Sequence, residues 1–221
     1  GIQKILNAEA QYGVPVKIFT TDIDSESIEQ LKKMAQLQFI YSHIAVMPDV
    51  HVGKGATVGS VITTKHAIIP AAVGVDIGCG MMALKTNIHL TEMYRTKITS
   101  IMSDIRKAIP VGFNHRKDGI RYEVENDSAF GELEIVDEQW EASTKQIGTL
   151  GGGNHFIEIQ HDKDSNIWIM IHSGSRNMGL KVADFYDAKA KCLNEKYYSS
   201  VPKEFDLAFL PIDSEEGQNY L

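Results

Sequence analysis

The ten residues Val73-Gly-Val-Asp-Ile-Gly-Cys-Gly-Met-Met82 place a carboxylate, Asp76, and a thiol, Cys79, three positions apart among three glycines. Glycines let the backbone bend until both side chains aim at one point, where a carboxylate and a thiolate can share a metal ion or flank a nucleophile. A Gly-rich turn around a small buried cysteine would account for the same residues, because free cysteine packs well as a hydrophobe. The decision between these readings rests on two histidine motifs further along the chain.

The first is Gly148-Thr-Leu-Gly-Gly-Gly-Asn-His-Phe-Ile-Glu158. Its triple glycine exposes backbone N–H groups that can cradle an anion, with the Asn154 side chain as a further donor. In the strand that follows, alternation sends His155, Ile157 and Ile159 to one face and Asn154, Phe156 and Glu158 to the other. The second motif closes a buried strand, Asn166-Ile-Trp-Ile-Met-Ile171, with His172-Ser-Gly-Ser-Arg-Asn177 ahead of a helix expected from about Met178 to Tyr197. Serine, glycine and arginine before a helix N-terminus suit an oxyanion or phosphate. Together Asp76, Cys79, His155 and His172 make a mixed donor set able to hold Zn²⁺, Mn²⁺ or Fe²⁺, and residue type alone does not choose among the three.

The rest of the chain supplies scaffold. Val14–Phe19 predicts a strand with Pro15 near its start. A helix follows, capped by Asp24 or Ser25, with Ile28, Leu31, Met34, Ala35 and Gln38-Phe39 on its period. His43–Met47 predicts a strand ending at Pro48, which delivers Asp49–Gly55 into a loop with Asp49 and His51 on one side. Gly53-Lys-Gly55 lacks the spacer and hydroxyl of a P-loop. Ala56–Thr64 and Ala67–Ile69 read as strands. Gly78-Cys-Gly-Met-Met-Ala83 fits a dinucleotide-binding pattern, but the residues after it look like a strand and no acidic residue stands about 20 positions on, so coenzyme binding is a poor reading. Thr91–Ile109 predicts a helix capped by Thr91 and stopped by Pro110. Val111–Tyr122, with His115, Arg116, Lys117 and Arg121, is the most basic segment and a candidate flap over a nucleic-acid backbone. A short helix is expected within Phe130–Lys145.

At 221 residues and 43% hydrophobic content, a packed core is expected. No run approaches the ~18 apolar residues of a membrane span and the N-terminus has no signal pattern, so a soluble, cytoplasmic protein without membrane contact is expected. Two cysteines in unrelated contexts fit a reducing compartment. A formal charge of −7 disfavours non-specific binding of nucleic acid by bulk attraction but leaves room for a local basic groove.

Four stretches, Met47-Pro-Asp-Val-His-Val-Gly-Lys-Gly55, Ile69–Met81, Gly148–Glu158 and Met170-Ile-His-Ser-Gly-Ser-Arg176, closely resemble the RtcB family of RNA-splicing ligases, in the family's order. The resemblance implies an α+β, RtcB-like fold, with central β-sheets, helices packed outside, and Gly-rich turns converging on a metal and nucleotide cleft. It implies a GTP- and Mn²⁺-dependent RNA ligase that joins a 3′-phosphate or 2′,3′-cyclic phosphate end to a 5′-hydroxyl end, as in tRNA splicing and RNA repair. Carried over by position, Cys79 would bridge two Mn²⁺ ions, with Asp76 and His155 completing one ion's protein ligands and His172 serving the other. Cys79 and His172 would thus act in catalysis through the metal. Asn154, Phe156 and Glu158 would contact GTP, and Arg176, His51 and Lys54 would contact RNA or phosphate. The partner implied is RNA, with room for an accessory activator or partner chain.

Family members are longer, and their guanylylated histidine and a further metal-ligand histidine lie in a C-terminal half without counterpart here. The chain is therefore expected to be a single RtcB-like domain, residues 1–221, C-terminally incomplete and inactive alone. A metal-dependent phosphoesterase, or a metal-stabilised RNA- or partner-binding module without chemistry, stand as alternatives.

Overall fold

The computed structural model describes residues 1–7, 13–120 and 133–221, and within these it contains nine strands and six α-helices. They fall into two compact units, one of Gly1–Val75 with Ala183–Leu221 and one of Asp76–Val182.

In the first unit β1 (Lys4–Leu6), β2 (Val16–Ile18), β3 (Ile40–His51) and β4 (Val58–Thr64) form a sheet in that order, antiparallel except for β2 with β3. The parallel pair needs a crossover, and α1 (Ser25–Ala35) provides it. Asp24 caps α1 by accepting from the Ser27 amide at 2.7 Å. Leu31 and Met34 from the helix, with Val16, Ile18, Ile44 and Val46 from the strands, are sealed from solvent and make the core. A short pair, β5 (Ala67–Ile68) with β9 (Leu210–Pro211), a single turn α2 (Pro70–Val73) and a C-terminal α6 (Glu215–Tyr220) complete the unit.

Two sequence expectations are corrected here. α1 ends at Ala35, so Gln38 and Phe39 lie beyond it, and Phe39 packs instead on Phe209 with ring centroids 4.6 Å apart. β3 runs through Pro48 to His51 and does not stop at Pro48. The register of β3 against β4 shifts between Val46 and His51, and such an irregularity is where a strand tolerates a residue without an amide proton.

The second unit is built on β6 (Gly80–His89), β7 (Phe156–His161) and β8 (Asn166–Ser173), antiparallel with β8 in the centre. That Gly80 opens a strand agrees with rejecting a dinucleotide fingerprint. The expected Thr91–Ile109 helix is split. A 3₁₀ turn at Leu90–Glu92 is capped from His89, whose ring accepts from the Thr91 amide while Glu92 accepts from the His89 amide, and α3 proper spans Arg95–Ala108. α4 (Glu134–Thr144) lies inside the stretch expected to hold a short helix; Phe130–Glu132, like Arg121 and Tyr122, are outside the described residues. α5 (Arg176–Lys196) starts two residues earlier than its pattern predicts and leads from the second unit into the first. Of this sheet's residues only Ile167 is buried, and Met81, Met82 and Leu84 on β6 are more than half exposed. No helix among the described residues is long and apolar enough to cross a membrane.

Candidate functional site

The register of the second sheet explains why residues far apart in sequence meet. Met81 and Phe156 both pair with His172, so the start of β6, the start of β7 and the end of β8 share one end of the sheet. Each of the three glycine-rich motifs empties into that corner. Asp76 and Cys79 lie in the turn before β6, where the Cys79 amide donates to the Asp76 carbonyl at 3.2 Å. Asn154 and His155 precede β7, and Gly174–Arg176 link β8 to α5.

Asp76 is the hub. Its Oδ1 accepts from the Ser175 amide at 2.7 Å and from the Ser175 hydroxyl, and its Oδ2 accepts from His155 Nε2 at 2.8 Å. Burial alone would push this carboxyl up. The Ser175 hydroxyl and amide, with the His155 ring, outweigh it and hold the group below the ordinary carboxylate range. An ionised carboxylate only accepts, so the proton between the pair belongs to His155 Nε2, and the neutral ring then carries its lone pair on Nδ1. That Nδ1 is buried without a partner. Gly151 and Gly174 make room for the ring: a methyl on Gly151 would strike His155 Nδ1, and one on Gly174 would strike the ring and Asp76 Oδ2.

His172 stands edge-on to His155, centroids 5.0 Å apart, and Phe156 stands edge-on to His172 at 5.7 Å. His172 Nδ1 lies 3.1 Å from the Asn154 carbonyl oxygen; donation there leaves Nε2 as a free lone pair. Cys79 is an exposed free thiol. Asn154 and Glu158 are exposed, the latter accepting from Gln160 Nε2 at 2.7 Å. Among the described residues, the amides of Gly152, Gly153 and Asn154 make no backbone hydrogen bond, which leaves the donors expected of an anion cradle unspent.

Two amides of the phosphate corner expected at the start of α5 are already taken. The Ser175 amide serves Asp76, and the Asn177 amide donates to Gln146 Oε1 at 3.1 Å. Arg176 has a left-handed backbone, φ 57°, and spends its Nε on Thr149 Oγ1 at 3.0 Å and its Nη2 on the Gly112 carbonyl at 2.6 Å. Burial draws its pKa down against the opposing pull of Asp76. It therefore braces the glycine-rich turn, a role that its place after Ser-Gly-Ser did not reveal. Ser175, Thr149 and Gly112 are the partners that sequence reasoning missed. His51 and Lys54 belong to the first unit: His51 Nδ1 lies 2.8 Å from the Asp49 carbonyl, and Lys54 faces Asp187 at 3.5 Å.

The donors fit a divalent ion in part. His155 Nδ1 and His172 Nε2 are left as lone pairs on rings whose centroids lie 5.0 Å apart, and imidazole nitrogens of this kind are common ligands of divalent ions. Asp76 Oδ2 holds the other ring nitrogen of His155, as carboxylates do for metal-binding imidazoles. Cys79 shares the turn of Asp76 and His172 stands edge-on to His155, yet no three His, Cys, Asp or Glu side chains among the described residues are gathered closely enough to hold an ion by themselves.

The family model described as tRNA-splicing ligase RtcB matches residues 30–221. The RNA-splicing ligase RtcB of Escherichia coli (strain K12) is 39% identical over 229 residues, covering 94% of this chain and 54% of that protein. The tRNA-splicing ligases RtcB of Thermococcus kodakarensis and Nanoarchaeum equitans are 29% and 28% identical, covering 94% and 96% of this chain and 54% and 55% of those proteins. The chain thus spans about half the length of the curated relatives it matches. Because the matched residues take in Asp76, the glycine-rich turn before β7 and the β8–α5 corner alike, this chain belongs to the tRNA-splicing ligase RtcB family.

Proposed function

We propose that this chain forms the metal- and nucleotide-gripping part of an RNA ligase that uses GTP and Mn²⁺ to join a 3′-phosphate or 2′,3′-cyclic phosphate end to a 5′-hydroxyl end. The observation that carries the reading is the Asp76–His155 pair, with its buried unpartnered Nδ1, set beside unspent amides of a glycine-rich turn. Asp76, Cys79, His155 and His172 would hold two Mn²⁺ ions. When bound, Mn²⁺ would neutralise phosphate charge and hold the reacting groups in line.

The chain's own residues set the stage. Ser175 keeps Asp76 ionised and fixed, Asp76 fixes the tautomer and plane of His155, and the Asn154 carbonyl orients His172. The amides of Gly152, Gly153 and Asn154 would take a nucleotide phosphate, with Phe156 and Glu158 facing the rest of the nucleotide. The histidine that carries GMP would lie in the portion of the family sequence beyond this match.

The test is to incubate the full gene product with GTP, Mn²⁺ and two RNAs, one ending in a 3′-phosphate and one beginning with a 5′-hydroxyl. A longer product that depends on GTP is expected. Phosphate release without GTP and without joining would replace the ligase reading by a phosphoesterase.

A further inference from the structure

The loop that follows α3, Val111–Asp118, carries a phenyl ring with nowhere to go. Phe113 is 98% exposed. Single exposed apolar residues are ordinary on protein surfaces, so exposure alone decides nothing. Three further features set this ring apart.

First, its neighbours are cationic or titratable: His115, Arg116 and Lys117 are all exposed, and none takes part in an ion pair among the described residues. Arg106 stands in the last turn of α3 just before the loop. Asp118 is the single opposing charge in it. Second, His115, Arg116 and Lys117 line a shallow hollow of about 280 Å³ with Ala108, Pro110 and Asp118. Third, the loop is held rigidly against the site. The Leu150 amide donates to the Pro110 carbonyl at 2.9 Å, the Gly112 amide to the Leu150 carbonyl at 3.0 Å, and the Arg116 amide to the Lys145 carbonyl at 2.9 Å. Arg176 Nη2 adds its bond to the Gly112 carbonyl at 2.6 Å. Leu150 directly precedes Gly151, which abuts His155.

We propose that Val111–Asp118 is a docking site for single-stranded RNA, in which a base stacks on Phe113 and the adjoining phosphates lie against Arg116 and Lys117. Every base has a π-face, so an exposed ring beside cations recognises a strand with little regard to sequence. The anchoring bonds tie the loop to Leu150, beside the glycine-rich turn that carries Asn154 and His155. In a chain of net charge −7 such a local cationic loop, and not bulk attraction, must supply the contact. The inference rests on the proposed RNA ligase reading for its choice of strand, but binding at the loop needs neither GTP nor metal.

The experiment is fluorescence anisotropy of a labelled, unstructured 12-nucleotide RNA with a 3′-phosphate, titrated with the chain without GTP or Mn²⁺. Phe113→Ala should weaken binding about 5- to 150-fold, the range for loss of one stacked base, with an unchanged urea midpoint because the ring supports nothing. Phe113→Trp should restore it. Tyr198→Ala, which removes an aromatic residue of similar exposure from the first unit, should change nothing. Arg116→Ala and Lys117→Ala should each make the salt dependence shallower by roughly 0.7 in log–log slope. Wild-type affinity in Phe113→Ala, equal loss in Tyr198→Ala, or no binding by the wild-type chain would overturn the proposal. Phe113-dependent binding by a protein that joins no RNA would overturn the ligase reading alone, and joining with Phe113-independent binding would overturn this inference alone.

Discussion

Replacing Gly151 by alanine should break the Asp76–His155 pair while leaving the chain trace alone. Gly151 has no positive φ, so alanine meets no backbone penalty; the new methyl instead strikes His155 Nδ1 and crowds Arg176 Nη1. The ring cannot retreat, because Gly174 and Asp76 occupy its other side. Either the bond to Asp76 is lost, about 1.5–3 kcal/mol for a hydrogen bond to a charged group, or the overpacked ring strains its surroundings, about 1–3 kcal/mol. The two are alternatives in part, so a destabilisation of about 2–4 kcal/mol is expected. Both tryptophans of the chain, Trp140 and Trp168, lie in the second unit, so their fluorescence during urea unfolding reports on it. The midpoint should fall by about 1–2 M, and the downfield proton resonance of His155 Nε2 should disappear. Gly152→Ala is the matched control, since the nearest atom to its methyl would be Gly112 Cα at 4.0 Å. Should Gly151→Ala unfold within about 0.5 kcal/mol of that control, with the His155 proton in place, the clamp has been misread.

Arg176→Lys should cost about 1–3 kcal/mol in the same assay, because a single ammonium cannot reproduce the fork that joins Thr149 Oγ1 to the Gly112 carbonyl. Tyr220→Phe should be neutral or slightly stabilising at neutral pH, since the Tyr220 hydroxyl is buried without a partner. Burial, and then Asp187, push the Tyr220 phenol up from 10.0 to about 12. A raised folded-state pKa means that its stability term is intact below pH 10 and is lost as pH rises toward 12. Wild type should therefore lose roughly 1–2 kcal/mol more than Tyr220→Phe over that window, after allowance for solvent screening; parallel losses in urea melts at pH 9 and pH 11 would contradict this.

Much of the corner was legible because strand alternation and glycine spacing are local signals. The alternating run after the triple glycine predicted β7, and the apolar run before His172 predicted β8. What local pattern could not give was the partner of each group. Asp76 meets Ser175 ninety-nine residues on, a pairing created by the β6–β8 register. Nothing in Ser-Gly-Ser-Arg-Asn says that Asp76 will take the Ser175 amide and Gln146 the Asn177 amide. Arg176 takes a left-handed conformation that its residue type disfavours, so its brace to Gly112 has no sequence signature. The 3₁₀ turn capped by His89 takes up Thr91, and α3 then starts behind Tyr94 with no side-chain cap to mark it, while Pro48 ends a strand only where a ladder bond is required of it. Nor does the glycine loop around Lys54 announce that Asp187, distant in sequence, stands opposite its ammonium.

Titrating Mn²⁺ into the wild-type chain and into Cys79→Ala by calorimetry tests the proposed metal centre most directly. Cys79 is exposed and its turn is held by the Asp76 carbonyl, so the substitution should leave the urea midpoint where it was. If its thiolate bridges two ions, affinity should fall by at least about 100-fold, the upper end of what losing an outer-shell partner costs. A wild-type chain that takes up no Mn²⁺, or a Cys79→Ala chain that binds it as tightly as wild type, would contradict the account.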